Sequence, residues 1–207
     1  MSRVRRHGDA GQAFPIYLTV VGGLLFLAFA YFAVGQAAAN RNDAQTAADA
    51  AALAAAQETR AQLTGAWLEN LLDPARWREI LEGDTTGLGS TCWRADLLAA
   101  RNDAHVLRCG PDGPLGYTVE VETDQPVGDS IVPGTEDKRS RATATAVIEP
   151  RCSFDLPDGE PADEEEDLPF LDCDGEIWKP DPADRAGLPD AEDLFDVHLA
   201  RPTANDE

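Results

Sequence analysis

Apolar residues crowd the start of this chain, and two different periodicities follow. Phe14 to Val34 (FPIYLTVVGGLLFLAFAYFAV) is an apolar run of 21 residues, and no charged side chain occurs between Asp9 and Arg41. At about 1.5 Å of rise per residue, a helix of that length covers about 30 Å, the thickness of a bilayer's hydrocarbon core. Pro15 suits a first helical turn. Gly22 and Gly23 lower helix propensity, yet in lipid the backbone has no better way to satisfy its hydrogen bonds. Tyr17 and Tyr31 lie near the two ends, where aromatic rings prefer the membrane interface. The pattern predicts a transmembrane helix over 14–34, preceded by a basic tail over 1–13.

The helix is expected to continue with little interruption into an Ala-rich stalk over 35–72. Between Ala37 and Leu72 there is no proline and, apart from Gly65, no glycine, and strong helix formers dominate. Its centre, Thr46 to Leu63, reads TAADAAALAAAQETRAQL. Alanine offers little apolar area, so this stretch forms no core alone. Two readings stand side by side: a stiff solvated stalk, or a thin surface that lets another element approach closely. Leu63, Trp67, Leu68, Leu71 and Leu72 then form a larger apolar stripe at helical spacing, where the helix should meet a globular core. Trp67 and Trp77 are expected in that core.

The segment 73–207 reads as an α+β domain. Asp73-Pro74 predicts a helix start, with Asp73 as N-cap and Trp77, Ile80 and Leu81 on one face. Gly83 supplies a stop. Ser90 or Thr91 should cap a short helix over Trp93 to Arg101, with Leu97 and Leu98 inward. From His105 the period changes to two. His105 to Cys109 is a candidate strand, Gly110-Pro111-Asp112-Gly113 is turn chemistry, and Tyr117, Val119 and Val121 alternate with Thr118, Glu120 and Glu122. Arg139 to Glu149 alternates again with β-branched residues until Pro150. Short apolar pieces follow at Ile177-Trp178 and at Leu194 to Leu199, the latter alternating like a last strand. The expected fold is α+β: a long N-terminal helix packed on a small, mainly antiparallel sheet.

Charge and cysteine content place these elements. The chain has 207 residues and a net charge of −21, which excludes nucleic acid as a partner because phosphate binding needs a basic face. Asp155 to Glu207 alone holds 19 acids against three bases, concentrated in a solvated acidic loop over 155–169. Arg3, Arg5 and Arg6 precede the apolar run, whereas Arg41 after it is soon offset by Asp43 and Asp49. The positive-inside rule therefore leaves the N-terminus in the cytoplasm and exports the rest. Ala37-Ala38-Ala39 could serve as a signal-peptidase site, but the apolar run exceeds the usual span of about 7–15 in a cleaved signal, so retention is expected. On the exported side Cys92, Cys109, Cys152 and Cys173 read as two disulfides. Three pairings are open; Cys92–Cys109 with Cys152–Cys173 is favoured, since each closes a short local loop.

Catalytic chemistry is sparse. His7 falls in the basic tail, and His105 and His198 fall on candidate strands, none with a partner at metal-ligand spacing. There is no GxSxG elbow and no phosphate-cradling glycine loop. Asp172-x-Asp174-Gly175 matches a fragment of a calcium loop but lacks the rest of the pattern. No catalytic, cofactor-binding or metal-ligating residue is assigned, and neither an enzymatic activity nor a small-molecule substrate is expected.

The basic leader with Gly11-Gln12, the span Phe14 to Val34 and the run Ala47 to Ala56 (AADAAALAAA) resemble, in that order, the N-terminal membrane segment of the Flp/Tad pilus-assembly TadG-like family. Residues 60 to 207 match only loosely, to the exported domain of actinobacterial relatives. Two departures stand out. Related proteins usually carry an acidic and basic pair after the span, where this chain has Gly35-Gln36-Ala37. Five residues beyond Gly11, where prepilins carry glutamate, stands Ile16, so prepilin-peptidase processing is not expected. The resemblance implies a non-enzymatic, membrane-anchored accessory or minor component of a Tad-type pilus or secretion apparatus. Its expected partners are the lipid bilayer and other pilus-assembly or envelope proteins. The alternative is an envelope-anchored acidic module that binds cations or basic partners.

Overall fold

A computed structural model describes residues 13–126, 137–156 and 168–201. The basic leader with His7, Gly11-Gln12 and most of the acidic loop lie outside the described residues. The fold is α+β, built on one helix, α1, that runs unbroken for 57 residues from Ala13 to Glu69. A four-stranded antiparallel sheet, ordered β1-β2-β3-β7, lies against its C-terminal half. Its strands are β1 (Ala104–Pro111), β2 (Gly116–Thr123), β3 (Arg141–Pro150) and β7 (Phe195–Leu199). Helices α2 (Pro74–Leu81) and α3 (Cys92–Arg101) pack beside α1, and the single turn α4 (Ala191–Leu194) leads into β7. A second small sheet holds β4 (Cys152–Ser153), β5 (Leu171–Cys173) and β6 (Glu176–Trp178).

The alanines of α1 decide between a free stalk and a packing surface. Ala47, Ala48, Ala51, Ala52, Ala55 and Ala56 are fully buried, a stripe at the i, i+3, i+4 spacing of one helix face. The sheet answers with small side chains of its own: Ala144 and Ala146 of β3 point into the same core, beside Val119 and Val121 of β2. Helix and sheet therefore approach closely, and the packing surface is what the structure shows. Residues on both sides of position 72 share one core, which takes in Ala47 to Leu71 of α1 along with the later helices and strands.

Larger residues close the far end of α1. Leu63 and Trp67 are fully buried, with Trp67 and Trp77 ring centroids 5.4 Å apart and Phe154 edge-on to Trp77 at 5.4 Å. Trp77 Nε1 donates to the Asn70 carbonyl at 3.0 Å, satisfying the polar end of a buried ring. α2 starts with Pro74 in its first turn and Asp73 at the N-cap position. The Asp73 side chain makes no cap hydrogen bond, although its carbonyl accepts from Arg76 N. Gly83 ends the segment at φ +73°, the left-handed conformation that favours glycine.

In α3 the inward residues are Ala95 and Ala99, while Leu97 is exposed and Leu98 only half-buried. This corrects the expectation for Leu97 and Leu98. Close packing of α3 on α1 admits only small side chains at the contact. Thr91 stands at the N-cap position without capping α3. Its hydroxyl is buried 3.3 Å from Thr59 Oγ1 of α1, so it is used for helix pairing instead.

Candidate functional site

The N-terminal third of α1 is the feature with the clearest chemical demand on its surroundings. Phe14, Tyr17, Leu24, Phe26, Phe29 and Phe32 are each more than half exposed, and no part of the most apolar stretch is covered by the rest of the chain. Among the described residues, one helix is thus long and apolar enough to cross a membrane. Leaving that much hydrocarbon in water would cost about 25 cal/mol per Å², so this surface calls for an apolar environment. The helix continues without a break as lipid-suited residues give way to Ala-rich ones, and the polar stretch Asn40 to Asp43 separates the exposed apolar surface from the buried Ala face.

The two segments meet at an end of the domain defined by polar contacts. Asn40 Nδ2 donates to the Gln125 carbonyl at 3.3 Å, tying α1 to the segment after β2. Glu122 of β2 accepts from Arg141 Nε of β3 at 2.8 Å and lies 3.6 Å from His105 Nε2 of β1. The Arg141 hydrogen bond holds the Glu122 carboxyl below its ordinary value, with the nearby Arg141, His105 and Arg139 charges acting in the same direction. His105 Nδ1 also lies 2.7 Å from Asp124 Oδ1. These pairs sit at the surface, where each ion pair contributes little to stability.

The cysteines form two bridges. Cys92 at the start of α3 joins Cys109 of β1, and Cys152 of β4 joins Cys173 of β5. The first ties a helix to the outer strand β1. The second links directly opposed residues of the small sheet. All four sulfurs are consumed, so they brace the domain.

The remaining candidate groups disperse. The Asp172–Gly175 segment is the turn of the β5–β6 hairpin: Asp174 and Gly175 take φ +53° and +89°, and Asp172 Oδ1 accepts from Gly175 N at 2.8 Å. Asp174 Oδ2 is held by Arg151 Nε at 2.6 Å. Its carboxylates thus serve a primed hairpin turn rather than a calcium loop. That turn, and the Asp190–Asp193 capping box of α4, were not read from the sequence, though an Asp-Gly pair between apolar pieces is a hairpin signal. Glu149, Asp196 and His198 bring ligand atoms within 4.8 Å of one another, all exposed, on adjacent strands β3 and β7. At the far end of α1, Leu68, Leu72, Pro182, Arg185 and Leu188 line an open groove of about 520 Å³. Among the described residues no nucleophile, base and oxyanion donor converge.

Comparison with known proteins bears on the membrane end. Residues 11–58 match the family described as putative Flp pilus-assembly TadE/G-like. The matched TadE/G-like segment is a little under a quarter of the chain and covers the apolar part of α1 with the first buried alanines. The resemblance carried by the span and the AADAAALAAA run is therefore that of a TadE/G-like N-terminal domain. No curated protein and no solved structure matches the chain.

Proposed function

We propose that this chain is a membrane-anchored accessory or minor component of a Flp/Tad-type pilus assembly or secretion system, acting through protein–protein contacts rather than catalysis. The observation that carries the reading is the TadE/G-like match over 11–58, which falls on a helix whose N-terminal part presents a continuous apolar surface. The N-terminus lies in the cytoplasm and the disulfide-braced domain outside. The arginines at positions 3, 5 and 6 support this orientation, as do two disulfides that persist in an oxidising compartment. The apolar helix holds the protein in the bilayer, and the domain offers its surface to other envelope components. Gene deletion tests the reading. Pilus assembly should fail or diminish and return when the full chain is supplied in trans. Unaltered pilus assembly after deletion would reject it.

A further inference from the structure

Where β3 meets β7, the solvent face of the main sheet sets three metal-ligating side chains together. The strands run antiparallel, with Glu149 opposite Asp196 and Val147 opposite His198. Side chains alternate between the two faces of a strand, so Asp196 and His198 share one face, and with Glu149 they are exposed. Val147, Glu149, Asp196 and His198 thus form the corners of one cross-strand square, and three of the four can donate a ligand atom. Those three atoms lie within 4.8 Å of one another, and His198 Nδ1 is 3.0 Å from Asp196 Oδ2. Zinc bonds such donors at about 2.0–2.2 Å, which in a tetrahedral shell sets them about 3.4 Å apart. Exposed side chains can close that difference by small rotations while the strands stay in place.

The local field favours a cation. Arg151 interacts electrostatically with Asp174, Asp196 and Asp193. Its Nε lies 2.6 Å from Asp174 Oδ2, and its Nη1 donates to the Glu192 carbonyl at 2.9 Å. Glu149, Asp174, Asp193 and Asp196 therefore set four negative charges against this one guanidinium. The next cation along the chain, Arg201, lies past the end of β7. His105 shows the contrasting case. It also stands between two carboxylates, but Asp124 lies 2.7 Å from Nδ1 and Glu122 lies 3.6 Å from Nε2. Opposite nitrogens of one ring cannot bind the same ion, and Glu122 is also held by Arg141.

We propose that Glu149, Asp196 and His198 bind a divalent metal ion of the zinc type, which clips the edge strand β7 to β3. Imidazole beside carboxylate suits zinc, copper or nickel, whereas calcium and magnesium take shells of oxygen. Three protein donors leave a fourth position for water or for a donor on a second protein. Such a site needs only the register of β3 and β7, and it holds whether or not α1 crosses a membrane.

Calorimetric titration of tag-free full-length protein in detergent with zinc tests this. One zinc ion per chain should bind at submillimolar concentration, and calcium should bind about ten-fold more weakly or less. His198→Ala and Glu149→Gln should each weaken zinc binding about ten-fold or more. Both side chains are exposed, so the circular dichroism and metal-free melting of these variants should match the parent. Zinc should raise the melting temperature of the parent and leave that of His198→Ala unchanged. His105→Ala should bind zinc as the parent does. Absence of binding up to millimolar zinc overturns the site, as does affinity that survives the substitutions at His198 and Glu149. Loss of binding in His105→Ala overturns its placement on β3 and β7.

Discussion

Replacing Ala51 by leucine tests the close approach of α1 to the sheet. Ala51 is fully buried in the core that α1 shares with β2, β3 and α3, and the strand residues pointing into that core include Ala144 and Ala146. A leucine adds three carbon atoms where both partners present methyl groups. Overpacking of this kind costs about 1–3 kcal/mol, because side chains leave their rotamers or the backbone shifts. For a unit of this size each kcal/mol lowers the midpoint by about 2–4 °C, so Ala51→Leu should melt roughly 2–12 °C lower. Gln57→Leu is the control, since Gln57 is exposed on the same helix and its substitution should change stability by no more than about 0.5 kcal/mol. The assay is thermal denaturation of full-length protein in detergent, followed by circular dichroism. An Ala51→Leu protein as stable as the parent, or two variants shifted equally, would mean that the alanine face is not in close contact.

Three further outcomes follow from the same structure. Removing one bridge by Cys152→Ser with Cys173→Ser frees a loop with a sequence separation of 21 and should cost about 3 kcal/mol, read as a lower denaturant midpoint. Gly83→Ala should lower the melting temperature measurably, because a Cβ at φ +73° would stand 2.8 Å from the Pro114 carbonyl oxygen. The Glu122 carboxyl is held below its ordinary value of 4.5, so its contribution is present above that pH and is lost as pH falls through the lower folded-state value. Glu122→Gln should therefore flatten the acid limb of the stability–pH curve below about pH 4.5 and leave the neutral-to-basic limb unchanged in shape.

The sequence made the elements legible where one periodicity dominated. The apolar run, the alternation of β2 and β3, and the helix starting at Pro74 each follow from a local pattern that the fold leaves intact. The role of the alanines could not be read locally. An Ala-rich helix has the same propensity in solvent as against a partner, and here the partner alanines of β3 lie about 90 residues later. Leu97 was misplaced for a related reason: hydrophobicity favours leucine inside, but the gap between α3 and α1 accepts only Ala95 and Ala99. Asp174 and Gly175 were read for their charge, although their left-handed backbone is what the β5–β6 turn uses. The segment 14–34 announced itself through composition, while the pairing of Arg141 with Glu122 depends on the register between β2 and β3.

Alkaline carbonate extraction combined with protease digestion of intact protoplasts tests the central claim most directly. The account requires the chain to stay with the membrane pellet at full-length mass, with its C-terminal domain cut by protease added from outside. Release into the soluble fraction, or a domain protected until the cells are lysed, would contradict it.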